Sequence, residues 1–339
     1  MMKNTTDFAK NIELFLTDYL PYQRNYQPNT ILAYKDTLKI FVRFLVNEKS
    51  IDINKFNMSD LTKELVIEFL KYIRKTSSIS SANQRLSILK SFVSYCKLEN
   101  IELMFSLQSI ENIKVIKYEK KEVEYLDEEC TKLLINKPDI NNRVGLRHKV
   151  VMCVLYETGA RVQELCDLKI KDINLNGAAT IHLHGKGNKD RLVPVSIELI
   201  ELIKVYINKE FSNAYNNDNY LIRNKNGLKM NRDGVDYILK KYYKEIKKEL
   251  NDKCPENIHP HMLRHSKAVH MVGANIPMVY IRDFLGHESV STTEIYAKVD
   301  TKLKEKAINK LAPKIIQSNL SYPDWSKDYD LMNFLNSFK

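Results

Sequence analysis

A chain of 339 residues is long for a single hydrophobic core and suits two domains. Lys and Arg number 53 against 42 Asp and Glu, an excess of 11 positive charges that favours a polyanionic partner, since neutralised phosphates release counterions. The longest unbroken apolar run, Val150 to Tyr156, is too short to span a bilayer, and Lys3, Asp7 and Lys10 leave no room for a secretory apolar stretch, so a soluble cytoplasmic protein without a membrane partner is expected.

In chain order, Ile31, Tyr34, Leu38, Phe41 and Leu45 recur at spacings of three and four, which predicts an amphipathic helix from about Asn29 to Glu48. A second helix runs through Leu65, Phe69 and Ile73. A third opens on the capping-box pair Ser81 and Gln84 and turns Leu86, Leu89, Val93 and Cys96 to one side. Residues 1–106 therefore read as an all-helical domain. Lys35, Lys39, Arg43, Lys71, Arg74, Lys75, Arg85 and Lys90 decorate it, either as an ordinary solvated face or as a surface turned to DNA. Periodicity fades over residues 107–124, where lysines and glutamates mix, and this stretch reads as a linker.

A second domain, residues 125–312, begins where Asp127 can cap a helix. The helix through Val150 to Glu157 breaks at Thr158-Gly159, and the next carries Arg161 and Glu164, three apart, so that a carboxylate can orient a guanidinium. Taken alone, the pair reads more readily as a surface ion pair. Ile181 and Leu183 alternate with His182 and His184, Gly185-Lys186-Gly187-Asn188-Lys189-Asp190 turns, and Leu192, Val193 and Val195 resume, which predicts a β-hairpin with a basic tip. Residues 200–250 read as helical and basic, interrupted near Asn213 to Asn219.

Pro260 then opens a helix on which His261 and Arg264 share a face, and Gly273 ends it. A shorter helix after Pro277 stops at Gly286, directly before His287. Ser291 and Glu294 form a capping-box pair that sets Tyr296 early in a further helix, with its hydroxyl free to reach outward. Beyond a helix from Thr301 to Leu311, the tail 313–339 carries Leu331, Phe334, Leu335 and Phe338 at helical spacing, an apolar stripe that must dock on its own domain or on a neighbouring protomer. The five cysteines, Cys96, Cys130, Cys153, Cys166 and Cys254, are widely spaced with no C-x-x-C pair and read as free thiols.

Five ordered pieces of this second domain resemble the tyrosine site-specific recombinases, the phage integrases and Xer-type resolvases. They are Thr158-Gly159-Ala160-Arg161-x-x-Glu164-Leu165, Gly185-Lys186-Gly187-Asn188-Lys189-Asp190-Arg191, His261-x-x-Arg264-His265, Leu285-Gly286-His287 and Ser291-Thr292-Thr293-x-x-Tyr296. The resemblance implies a mainly α fold with a small β-hairpin, in which a helical core-binding domain precedes a mixed α/β catalytic domain. It implies Tyr296 as the nucleophile, Arg161 and Arg264 on the phosphate oxygens, Glu164 supporting Arg161, and Lys186 as the proton donor to the leaving 5′ oxygen. His261 and His287 complete the site, and which histidine takes the tyrosine's proton is left open. The implied partners are double-stranded DNA with specific recombination sites and a homotetramer formed on paired sites. No metal or other cofactor is implied.

Three other readings compete. His261, His265 and His270 could mark a metal enzyme, although the Glu of H-E-x-x-H is missing. A DNA-binding accessory protein without catalysis and a topoisomerase of the same tyrosine chemistry are the others. Within the recombinase reading, the long tail points to a mobile element rather than a chromosome-dimer resolvase.

Overall fold

The computed structural model describes residues 6–118, 123–185, 189–211, 216–250 and 254–287, together with 289, 293, 295, 296, 333 and 337. The chain is mainly α-helical with one two-stranded antiparallel sheet and divides into two compact units, Met1–Lys121 and Glu122–Lys339.

In the first unit, α1 (Asp7–Leu14) is capped by Thr6, whose hydroxyl accepts from the Ala9 amide, and runs on as a π-helical segment, Phe15–Gln23. Pro28 starts α2 (Pro28–Asn47) in the first turn, where a missing N–H costs nothing. Thr62 caps α3 (Lys63–Arg74). The next helix, α4 (Ile79–Glu99), is capped by Ser78 rather than Ser81, because the Ser78 hydroxyl accepts from the Ser81 amide at 3.2 Å. The helix therefore starts earlier than the Ser81/Gln84 pair suggests. Phe8, Phe15, Phe41, Phe69 and Phe92 fill the centre, with Phe41 edge-on to Phe69 at 5.0 Å.

The stretch expected to begin a linker does not leave this unit at residue 107. Here α5 (Met104–Glu111) forms, and Leu107, Ile110 and Ile113 are buried in the first core. Three apolar residues at spacings of three make a pattern too short to stand out beside the lysines that follow.

The second unit begins with α6 (Glu128–Asn136), capped by Asp127, and α7 (Arg143–Thr158), capped by Asn142. Every residue from Val150 to Leu155 on α7 is buried, as expected of a central helix that is apolar on all sides. It packs against α9 (Ile197–Phe211) and α11 (Pro260–Gly273). Between α7 and α9 come the short α8 (Val162–Asp167) and the hairpin of β1 (Thr180–Gly185) and β2 (Lys189–Pro194), in register from Thr180 opposite Pro194 to Gly185 opposite Lys189. The gap before α10 (Arg232–Leu250) is wider than the Asn-rich loop alone, since Tyr220 bridges Lys169 and Arg223 bridges Lys229. Last among these helices is α12 (Met278–Leu285), which packs beside α11 around a small cluster containing Val269, Ile281, Leu285 and Tyr296.

Two of the cysteines expected as free thiols are paired. Cys130 on α6 and Cys254 ahead of α11 form a disulfide, their Cα atoms 6.7 Å apart. They lie 124 residues apart in sequence, so spacing gives no hint of the pair. Cys96, Cys153 and Cys166 are free and buried. Among the described residues, no helix is long and apolar enough to cross a membrane.

Candidate active site

The site starts at the corner between α7 and α8. Thr158 closes α7 by donating from Oγ1 to the Val154 carbonyl and accepting from the Ala160 amide. Gly159 then turns the chain at φ 57°, a left-handed conformation that favours glycine. A Cβ at Gly159 would sit 2.8 Å from the Leu285 side chain, so the residue also lets α12 approach.

This corner delivers Arg161 to the N-cap of α8. Its amide donates to Oε2 of Glu164 at 2.8 Å and its guanidinium donates to Oε1 at 2.7 Å. The same carboxylate accepts two hydrogen bonds from Arg191 on β2, at 3.1 and 2.8 Å. Burial pushes the Glu164 carboxyl up, but the hydrogen bonds and charges of Arg191 and Arg161 outweigh it and hold the group below the usual carboxylate range. Glu164 is thus a buried carboxylate clamped by two guanidiniums, rather than half of a surface ion pair.

The C-terminal end of α12 gathers all three arginines. Arg191 donates to the Phe284 carbonyl at 3.0 Å, Arg264 to Leu285 at 2.6 Å and Arg161 to Gly286 at 3.3 Å. The last carbonyls of a helix lack intrahelical partners and carry partial negative charge, so they are suited to cations. Gly286 caps α12 at φ 64°, and a Cβ there would come within 3.2 Å of the Arg191 side chain. Arg264 also donates to the Gly159 carbonyl at 2.6 Å. Burial, then the charges of Arg161 and Arg191, lowers its pKa to about 10, so it stays protonated at neutral pH. Three guanidiniums against one carboxylate leave an excess of positive charge that suits a phosphate.

The tyrosine differs from expectation. Tyr296 does not reach outward: it is 1% exposed and packs in the cluster between α11 and α12. Its aromatic ring is held by apolar neighbours, and its hydroxyl lies 2.7 Å from Nδ1 of His265. Burial raises the Tyr296 pKa, and the nearby charge of Arg264 opposes that. His265, given a possible role in the sequence only within the metal pattern, is therefore in contact with the candidate nucleophile. Burial, followed by the charges of His261, His259 and Arg264, lowers its pKa to about 4 and keeps its ring neutral.

His287 follows the Gly286 cap and lies 3.0 Å from the Thr293 hydroxyl, through Nδ1. Burial and the charges of Arg264 and Arg161 lower its pKa to about 4. His261 is exposed on the first turn of α11, and its pKa is pushed down by desolvation and by Arg264. Arg161, Glu164, Arg264, His265, His287 and Tyr296 thus sit around the junction of α8, α11 and α12. Lys186 lies outside the described residues, as do Ser291, Glu294, the expected helix from Thr301 and all four apolar residues of the tail stripe. Arg191 and His265 are not among the catalytic residues that the resemblance implies, although both stand inside its motifs.

The helical histidines do not form a ligand set. His270 meets the Tyr156 hydroxyl at 2.9 Å and His265 that of Tyr296, each through Nδ1, and these rings are not part of the one metal-ligand group among the described residues.

The sequence pattern of the phage integrase family matches residues 124–302, and that of the phage integrase N-terminal SAM-like domain matches residues 12–100. The chain is 31% identical over 303 residues to the tyrosine recombinase XerC of Bacillus pumilus, covering 87% of this chain and 93% of the relative. Its fold is similar to that of the XerH site-specific recombinase bound to a palindromic difH substrate, with a TM-score of 0.68, 24% identity and coverage of 84% of this chain and 81% of the other. It is also similar to the Tn1549 transposon integrase in complex with transposon right-end DNA, at a TM-score of 0.67 and 17% identity, covering 89% and 99% of the two chains. The chain belongs to the phage integrase family and is a tyrosine recombinase, an enzyme of site-specific DNA recombination.

Proposed function

We propose that the chain cleaves and rejoins DNA with Tyr296 as nucleophile and the Arg161, Arg191 and Arg264 cluster as the phosphate site. The observation that carries this reading is the gathering of three guanidiniums on the last carbonyls of α12, two of them also bonded to the Glu164 carboxylate. In the proposed step, Tyr296 Oη attacks phosphorus, and the bond to the 5′ oxygen breaks to leave a 3′-phosphotyrosyl link and a free 5′ hydroxyl. Arg161 and Arg264 bind the non-bridging oxygens and offset the charge that builds in the transition state. Glu164 and Arg191 hold Arg161 in place. Neutral His265 is the acceptor for the tyrosine's proton, since its Nδ1 already faces the hydroxyl. Lys186 protonates the leaving oxygen, while His287 and His261 orient the phosphate and its proton transfers. Attack of another strand's 5′ hydroxyl on the phosphotyrosine reverses the chemistry and completes recombination.

In this reading Tyr296 occupies a resting position, because a side chain with 1% exposure does not meet a DNA phosphate until its cover moves. The helical first unit is the core-binding domain and the second the catalytic domain. Lys35, Lys39, Arg43, Lys71, Arg74 and Lys75 are exposed on the first unit and supply charge toward the DNA backbone. The protein works in the cytoplasm as a homotetramer on paired recombination sites, its tail docking on a neighbouring protomer, and serves a mobile element. Likeness to a transposon integrase supports that role, and likeness to XerC supports the alternative of a chromosome-dimer resolvase. An assay with two distinguishable duplexes tests the reaction: joined product is expected, whereas relaxation of supercoiled DNA without joining favours a topoisomerase.

A further inference from the structure

The hairpin has two faces with different chemistry. Leu183 and Arg191 pair across the strands on the inner face, toward Glu164 and α12. His182, His184 and Asp190 lie on the outer face, with His184 directly opposite Asp190. On the other side of β1, Ile173 bridges Ile181, and this sets Asp172 beside His182. One ligand atom each from Asp172, His182 and His184 can lie within 4.8 Å of the others.

The cluster attracts positive charge, because two carboxylates flank the His184 ring. His184 Nδ1 lies 2.9 Å from Asp190 Oδ2, an ordinary hydrogen bond if Nδ1 carries the proton. In the neutral ring the opposite nitrogen, Nε2, turns a lone pair toward Asp172 Oδ1 at 3.4 Å, an arrangement that either a proton on Nε2 or a metal ion between the two atoms satisfies. His182 Nε2 lies 3.4 Å from Asp190 Oδ2, a contact to the carboxylate outside the three ligands; the ligand-to-ligand distance that bears on an ion is the 3.4 Å from His184 Nε2 to Asp172 Oδ1. A separation of about 3.4 Å is the edge of a tetrahedron whose bonds to a central ion are about 2.0–2.1 Å, the length of zinc–nitrogen and zinc–carboxylate bonds. Asp172 is held for this role, because its other oxygen, Oδ2, accepts the Lys169 amide at 2.8 Å.

We propose that Asp172, His182 and His184 form a binding site for a divalent transition-metal ion such as Zn²⁺, with Asp190 as the carboxylate that orients His184. Two imidazoles and one carboxylate suit a borderline-soft ion better than Mg²⁺ or Ca²⁺, which favour oxygen ligands. A metal-bound histidine commonly donates its second ring N–H to a carboxylate, as His184 does to Asp190 here. Asp172 and His182 line an open cleft together with Asn174, Asn176 and Leu192, from which water can complete the coordination. The site lies on a different face of the hairpin from the Arg191 contacts and takes no part in the cleavage step. Its effect is mechanical. The ion fastens β1 to the 3-10 turn Ile170–Asp172 and stiffens the hairpin.

The full-length protein, stripped with a chelator, is titrated with Zn²⁺ by calorimetry and with Co²⁺ by visible absorption. One ion per chain is expected, with a four-coordinate Co²⁺ spectrum and slower amide exchange across Thr180–Pro194 when the ion is bound. The His182→Asn/His184→Asn double variant is expected to lose at least about 100-fold in affinity, and Asp190→Asn about 10- to 100-fold. Asp190→Asn serves as the check should the double variant fold poorly. Absence of saturable Zn²⁺ binding, or binding by Asp190→Asn and the double variant equal to that of the parent, overturns the proposal. None of these readouts uses strand cleavage, so they stand apart from the active-site assignment.

Discussion

The hydroxyl of Tyr296 lies 2.7 Å from Nδ1 of His265, inside a cluster that leaves the tyrosine 1% exposed. A phenol attacks a phosphodiester only when its proton has somewhere to go, and a neutral imidazole is a competent acceptor. His265→Gln is expected to slow single-turnover cleavage by about 10²-fold or more, in the range typical of general-base removal. The covalent product should still form at the end point. A cleavage rate equal to the parent's would reduce His265 to a packing residue.

Glu164 holds two arginines with one buried carboxylate. Removing one partner of a buried charge set leaves the others uncompensated, so Glu164→Ala is expected to destabilise the fold by about 3–5 kcal/mol. Glu164→Gln keeps the shape and a single acceptor oxygen. It should retain the fold while lowering the cleavage rate, because Arg161 is no longer fixed. Chemical denaturation and cleavage kinetics on the same samples separate the two effects.

Gly159→Ala tests the corner between α7 and α8. The substitution places a Cβ 2.8 Å from the Leu285 side chain at a φ of 57°. A loss of about 1–3 kcal/mol in stability is expected from the backbone strain alone. Cleavage should fall as well, since Arg264 donates to the Gly159 carbonyl. An unchanged melting temperature would contradict the tight approach of α12.

Protonation gives a further prediction. The pKa values of His148, His265 and His287 are lowered to about 4 in the fold, chiefly by burial, against about 6.5 in an unfolded chain. Between those values the unfolded chain takes up protons that the folded one refuses. These histidines therefore contribute stability above about pH 6.5 that is lost as pH falls toward about 4. Denaturant midpoints from pH 7 to pH 5 should decline, and His148→Phe should flatten part of that slope. A midpoint that rises over the same interval would contradict the buried neutral rings.

Much of this architecture was legible in the sequence because its signals are local. Apolar spacing located α2, α3 and α7, alternation located the hairpin, and the glycines at 159 and 286 marked the corners on which the site depends. Burial of Leu107, Ile110 and Ile113 escaped because that short apolar face fades into a charged stretch. The Cys130–Cys254 pair, the link from Arg191 to Glu164 and the bond from His265 to Tyr296 join residues 124, 27 and 31 positions apart. Contacts of that kind are set by tertiary packing and leave no periodic trace. The outward reach expected of Tyr296 rested on a local capping signal, which carries no information about what packs over the ring.

The most direct measurement is covalent trapping on a nicked suicide duplex carrying the recombination site, comparing the parent with Tyr296→Phe on a denaturing gel. The account predicts a shifted protein–DNA band for the parent and none for the variant, with both binding the duplex equally well. A band that persists in Tyr296→Phe would place the nucleophile elsewhere and contradict the assignment.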